Sequence, residues 1–229
     1  VMIADEGGVT AILSAMNDHT SNADVQHYGC AALNNLAVND NNKVTIAEAE
    51  GITTILSAMK THSFNSNVQY LCCAALSNLA DNNENNKVMI AAAGGISAIV
   101  FVMNNHSSNV DVQHYGCAAL QNLAMNDNNK VMIAEAGGIP TIVSAMKYHS
   151  SNINVQHYGC AALGTLAVND NNKKMIAVAG GIPMIVFAMN CHLGNADVQH
   201  YGCAALWCLA ENDINKVAIA NASGNGTID

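Results

Sequence analysis

The stretch VQHYGCAAL occupies residues 25 to 33 and returns unchanged at 112 to 120, 155 to 163 and 198 to 206. With the residue that precedes it, it sets Asp24, His27 and Cys30 at spacings of three and three, which is one face of a helix. An acid, an imidazole and a thiol in that order could orient a base, remove a proton and attack a substrate. The same order returns at Asp111, His114 and Cys117 and at Asp197, His200 and Cys203. An enzyme needs one activated nucleophile and not a row of identical ones, so no catalytic residue is assigned. The chain also lacks a phosphate-cradling glycine loop and a convergent carboxylate pair.

The nine histidines fall into two columns: His27, His114, His157 and His200, interrupted by Tyr70, and His19, His62, His106, His149 and His192. Zinc needs ligand atoms at roughly 2.0–2.1 Å, whereas stacked helices sit about 8–10 Å apart, so one column cannot easily share an ion. Neither a metal nor a cofactor is expected. Cys30, Cys73, Cys117, Cys160 and Cys203 form a third column, on the side turned to the core, where a free cysteine packs as a small hydrophobe.

These columns must be held by a repeat. Lys43, Lys87, Lys130, Lys173 and Lys216 fall 44, 43, 43 and 43 residues apart, the additional residue lying in the polar turn DNNENNK. They divide the chain, read as one array over 1–229, into units 1–42, 43–86, 87–129, 130–172 and 173–215, with a partial sixth unit at 216–229. In one unit, KVMIAEA (130 to 136) has helical spacing and ends at Gly137-Gly138. A second helix, IPTIVSAM (139 to 146), carries Pro140 in its first turn, where Thr10, Thr53 and Ser97 of the first three units are expected to cap instead. After the turn HSSN, a third helix runs from near Asn154 to Ala167, with Val155, Gly159, Ala162, Leu163 and Leu166 as its inward stripe.

The second histidine column follows each second helix and is placed to satisfy its terminal carbonyls. The first could border a binding face and make affinity respond to pH between about 5 and 7. Three helices per unit, none able to bury its apolar side alone, predict an all-α, right-handed solenoid of stacked repeats. Val1 aligns with Val44 inside a first helix, so the sequence is expected to be a piece of a longer array, and KVAIANAS at 216 to 223 is expected to act as a crude cap.

With 51% hydrophobic residues the chain can build a sizeable core. Without a run of about eighteen apolar residues or a basic-then-apolar leader, it reads as soluble, cytoplasmic or nuclear, and not secreted. Eight thinly spread cysteines suit reduced thiols better than a disulfide scaffold. The net charge is −9 and every cation is a lysine, so the bidentate arginine fork is missing, which argues against nucleic acid and membrane as partners.

The pattern DVQxxxxxALxNLA…NNKxxIAEAGGIPxI closely resembles the armadillo repeat, the unit of importin-alpha and beta-catenin, over nearly the whole chain. The resemblance implies a concave groove lined by third helices, in which the Asn of ALxNLA holds the main chain of an extended peptide. Here that position holds Asn35, Asn78, Asn122, Thr165 and Cys208. A carboxamide offers a donor and an acceptor together, matching one extended residue, although such an Asn could equally bond its own chain or the next turn. Four residues earlier, where importin-alpha-like arrays carry tryptophan, stand Ala31, Ala74, Ala118, Ala161 and Ala204, so the tryptophan ladder is missing. Seven residues earlier stand Tyr28, Leu71, Tyr115, Tyr158 and Tyr201, which would flank shallow pockets or else pack against neighbouring units. Asp24, Asp111 and Asp197 would tint the groove acidic and bias it against acidic partners.

Two functions follow. One is a non-catalytic protein-binding module that takes an extended polypeptide or a helical segment along the groove. The other is a structural or assembly solenoid within a larger protein that self-associates through its repeat ends, which the close similarity of the units favours.

Overall fold

A computed structural model describes residues 7–222, so the expected helical start at Val1 and the end of the expected cap lie outside the described residues. Among the described residues there are fifteen helices and no strand. The first unit contributes α1 (Gly8–Asp18) and α2 (Ala23–Leu36). Four full triplets follow: α3 (Asp40–Glu48), α4 (Gly51–Thr61) and α5 (Ser66–Ala80); α6 (Glu84–Ala92), α7 (Gly95–Asn105) and α8 (Val110–Leu123); α9 (Asp127–Glu135), α10 (Gly138–Tyr148) and α11 (Ile153–Leu166); α12 (Asp170–Val178), α13 (Gly181–Cys191) and α14 (Ala196–Leu209). Helix α15 (Asp213–Ala222) repeats the first helix of a unit.

The helix ends follow from a few residue types. First helices begin three residues before the period-marking lysine, because an asparagine such as Asn126 caps them by accepting from the backbone N–H of Asn129. The chain then turns through a left-handed residue, Gly137 at φ 79° or, in the second unit, Glu50 at φ 64°. That turn needs no side-chain cap, so Thr10, Thr53 and Ser97 do not cap. They lie inside the helix, and the Thr53 hydroxyl donates back to the Glu50 carbonyl at 2.8 Å.

The glutamine of VQHYGC, and not the histidine, satisfies the end of the second helix. Gln156 Nε2 donates to the carbonyls of Met146 and His149 at 2.8 and 3.0 Å, and Gln26, Gln69, Gln113 and Gln199 repeat the pattern. The histidines that follow the second helices reach backwards instead. Nε2–H of His62, His106, His149 and His192 donates to Thr20, Ser63, Ser107 and Ser150 of the preceding unit.

The third helices α2, α5, α8, α11 and α14 lie side by side and form the most closely packed layer, and one hydrophobic core runs through the array. Val155, Gly159, Ala162, Leu163 and Leu166 are all buried, as the stripe predicts. A Cβ on Gly159 would stand 2.4 Å from Met146 Cγ, so the glycine of the motif lets the third helix close on the second. A column of buried asparagines joins unit to unit: Asn86, Asn129, Asn172 and Asn215 donate to the carbonyls of Lys43, Lys87, Lys130 and Lys173.

Candidate functional site

The Asn column sits near the end of the third helices, and its side chains cross between units. Asn78 Nδ2 donates to Asn34 O and Oδ1 at 3.2 and 2.9 Å, and Asn122 Nδ2 to Ser77 O and Oγ at 3.0 and 3.1 Å. Both N–H groups of each amide are therefore committed to the preceding helix, and the amide oxygen is what remains to meet a ligand. Asn35, in the first unit, is exposed. Thr165 donates to Ala161 O of its own helix, and Cys208 is half-buried.

The tyrosines pack across units, with the histidines as their partners. His114 stacks on Tyr115 at 4.3 Å between centroids and lies 5.2 Å from Tyr158; His157 lies 4.4 Å from Tyr158 and 4.8 Å from Tyr201. In the second unit, where Leu71 replaces tyrosine and is buried, Tyr70 from the histidine column stacks on Tyr115 at 5.9 Å. The result is a nearly continuous ring ladder in which Tyr115, Tyr158 and Tyr201 are half-buried, while Tyr28 at its first rung is 71% exposed. The adjacency of His and Tyr in the repeated motif is the signal for this ladder, which separate columns concealed.

Burial draws the His114 and His157 pKa values down, against the opposing pull of the Asp111 and Asp197 carboxylates. Burial also raises the Tyr158 hydroxyl. Asp24, Asp111 and Asp197 lie exposed in the first turns of α2, α8 and α14, where a negative charge meets the positive end of the helix.

Between the last three units a pocket of about 450 Å³ opens on this layer. Tyr201, the alanine positions Ala161 and Ala204, and the Asn-column positions Thr165 and Cys208 line it around Gly164. Met125, Val168 and Lys130 complete one end, a feature that the column pattern does not reveal. A larger hollow of about 750 Å³ lies in the second-helix layer against Phe101 and touches none of these columns.

Cys30, Cys73, Cys117 and Cys160 are buried as the core reading requires, and burial pushes Cys73, Cys117 and Cys160 up to about 12. A thiol so placed is a poor nucleophile. Cys203 departs from the column and is exposed, since no described third helix follows α14 to cover it. Among the described residues no three His, Cys, Asp or Glu side chains gather to hold a metal ion, and no single helix is long and apolar enough to cross a membrane.

A crystal structure of an engineered protein is similar over 95% of this chain and 85% of its own, at 25% identity and a TM-score of 0.83. A second engineered protein is similar over 97% of this chain and 53% of its own, at 27% identity and a TM-score of 0.85. A designed armadillo repeat protein in complex with the peptide (KR)4 is similar over 91% of this chain and 84% of its own, at 20% identity and a TM-score of 0.78, a likeness of fold alone. No curated protein sequence matches the chain. The family model for the LRRK2 ARM repeat matches residues 1–177, more than half of the chain, and this sequence with its stacked three-helix units belongs to that armadillo repeat family.

Proposed function

We propose that the chain is a non-catalytic protein-interaction module whose third-helix face binds an extended polypeptide. The observation that carries this reading is the pocket among Ala161, Gly164, Thr165, Tyr201, Ala204 and Cys208, where small side chains from two adjacent helices leave room beside an aromatic wall. The amide oxygens of Asn78 and Asn122 can accept from a ligand's main chain, while their donors keep the face rigid. The designed protein of the same fold in complex with a peptide supports the reading.

The test is selection from a displayed random-peptide library, counter-screened against Tyr201→Ser. Enriched sequences that bind the parent at least about tenfold tighter than the variant support the face, because losing an anchoring aromatic typically costs more than 1 kcal/mol. Failure to enrich any sequence, or binders indifferent to Tyr201, would overturn it.

A second reading, as an assembly segment, is favoured by the ring ladder and by the amide donors spent between units. Trp207 is 71% exposed beside the exposed Cys203, on a side that neighbouring helices cover in the inner units. Light scattering over a wide concentration range decides it: mass rising with concentration supports end-to-end association, and a constant monomer mass removes it.

A further inference from the structure

The lysine that marks each repeat is almost wholly buried in units two to five, and its partners differ from unit to unit. Lys173 Nζ has two carboxylates, Asp170 at 2.8 Å from its own helix and Glu211 at 2.7 Å from the end of α14. Lys43 pairs likewise with Asp40 at 2.8 Å and reaches Asp81 after α5, whose carbonyl lies at 2.8 Å and whose carboxylate lies at 3.9 Å. In the third and fourth units the residue after Leu-Ala at that helix end is Met125 or Val168, and the second acid is missing.

Lys130 is where this difference opens onto a cavity. Its side chain is 7% exposed, its carboxylate partner Asp127 is 93% exposed, and the lysine borders the 450 Å³ pocket together with Met125 and Val168. A buried ammonium with three donors and one solvated partner gains from a second acceptor, and a charge-assisted bond is among the stronger ones available. The neighbouring unit shows the geometry such an acceptor takes: Glu211 on Lys173.

We propose that Lys130 receives the carboxylate of an Asp or Glu side chain from the bound polypeptide, with Met125 and Val168 receiving an apolar residue of the same segment. This assignment rests on the polypeptide-binding reading of the face. In an extended segment residues two apart share a side, so the pattern recognised is an acid and an apolar residue separated by one position. The acidic column does not forbid it. Asp111 and Asp197 sit in the first turns of α8 and α14; Asp197 is one turn from His200 and Tyr201, which line the pocket, while Lys130, Met125 and Val168 complete one end of it. From Asp111 to Gln121 and from Asp197 to Cys208, the last pocket-lining residues of the two helices, the rise is about 15–16 Å, beyond the screening length of about 8 Å at physiological salt.

The test uses three capped fluorescent peptides, (SLSE)3, (SLSQ)3 and (SLSK)3, titrated by anisotropy against the full chain and against Val168→Glu. That variant sets the chain's own carboxylate on Lys130, as Glu211 does on Lys173, and is therefore expected to fold. The parent should bind (SLSE)3 about tenfold or more tighter than (SLSQ)3, as a charge-assisted bond predicts. Val168→Glu, which also removes part of the apolar contact and so is expected to weaken all three peptides, should erase that preference, leaving (SLSE)3 no tighter than (SLSQ)3. Equal binding of the three peptides, or an acid preference that survives Val168→Glu, overturns the assignment and leaves the face reading standing. If none of the three peptides binds, while peptides selected through Tyr201 do, the acid-and-apolar pattern alone is wrong. If neither kind binds, both readings fall.

Discussion

Asn122 hydrogen-bonds through its amide nitrogen to both the carbonyl and the hydroxyl of Ser77, 45 residues earlier in the chain. Asn122→Ala should therefore destabilise the free protein by about 1–2 kcal/mol, since it removes two half-buried hydrogen bonds. Asn35→Ala, at an exposed position, should cost less than about 0.5 kcal/mol. Denaturant unfolding of both variants without any ligand checks this, and equal losses would mean that the bond to Ser77 contributes nothing.

Gly159 is held against Met146 so closely that an added Cβ has no room of its own. Gly159→Ala should cost about 1–3 kcal/mol through overpacking. Combined with Met146→Ala, which clears the clashing side chain, it should cost less than the sum of the two single changes. Thermal melts of the two single variants and the double variant measure this coupling, and strict additivity would contradict it.

The stacked histidines give stability a pH dependence of definite sign. Burial lowers the His114 and His157 pKa values in the folded chain, so the unfolded chain, with ordinary histidines near 6.5, takes up protons first. Stability from these rings is thus fully present above about pH 6.5 and is lost as pH falls below that value towards the folded pKa values. The carboxylates held low by hydrogen bonds, such as Glu84 bonded by Asn126, respond only at more acidic pH. Midpoints of urea unfolding at pH 7.5 and 5.5 should fall for the parent. They should fall less for the double variant His114→Phe, His157→Phe, which keeps the rings and removes the titration.

Thiol labelling reports how the units cover one another. Cys191 and Cys203 are exposed, whereas Cys30, Cys72, Cys73, Cys117 and Cys160 are buried. With a thiol reagent under native conditions, Cys191 and Cys203 should modify fast, and the five buried thiols only at the rate of unfolding. Peptide mapping of early modification at Cys117 or Cys160 would show that the third-helix layer opens locally.

The stack itself was legible because its signals are local and periodic. Double glycines, polar turns and the Val155, Gly159, Leu163, Leu166 stripe each fix a helix end or a helix face from a handful of adjacent residues. The early start of the first helices was also written in the chain, as an asparagine cap before an acidic first turn at Asn126-Asp127, and is missed only when the helix is read from the lysine onward.

What lay beyond the sequence was the direction of bonds across the repeat. Column spacing tells which residues share an angle around their own helix, but not what a helix 42 to 45 residues away brings to that angle. Hence Asn122 was recognisable as a special amide, while its commitment to Ser77 was not. His157 and Tyr158 were recognisable as neighbours, while their sandwich with Tyr201 was not.

The sequence by itself determined that there are three-helix units, their period and the inward stripe of the third helix, because helix geometry and backbone punctuation act over a few residues. Only the tertiary structure decided which identical letters are equivalent. Cys203 is exposed and Cys160 is not, and Lys173 has its second acid while Lys130 faces a pocket, because burial and electrostatics depend on the neighbouring unit and not on the motif.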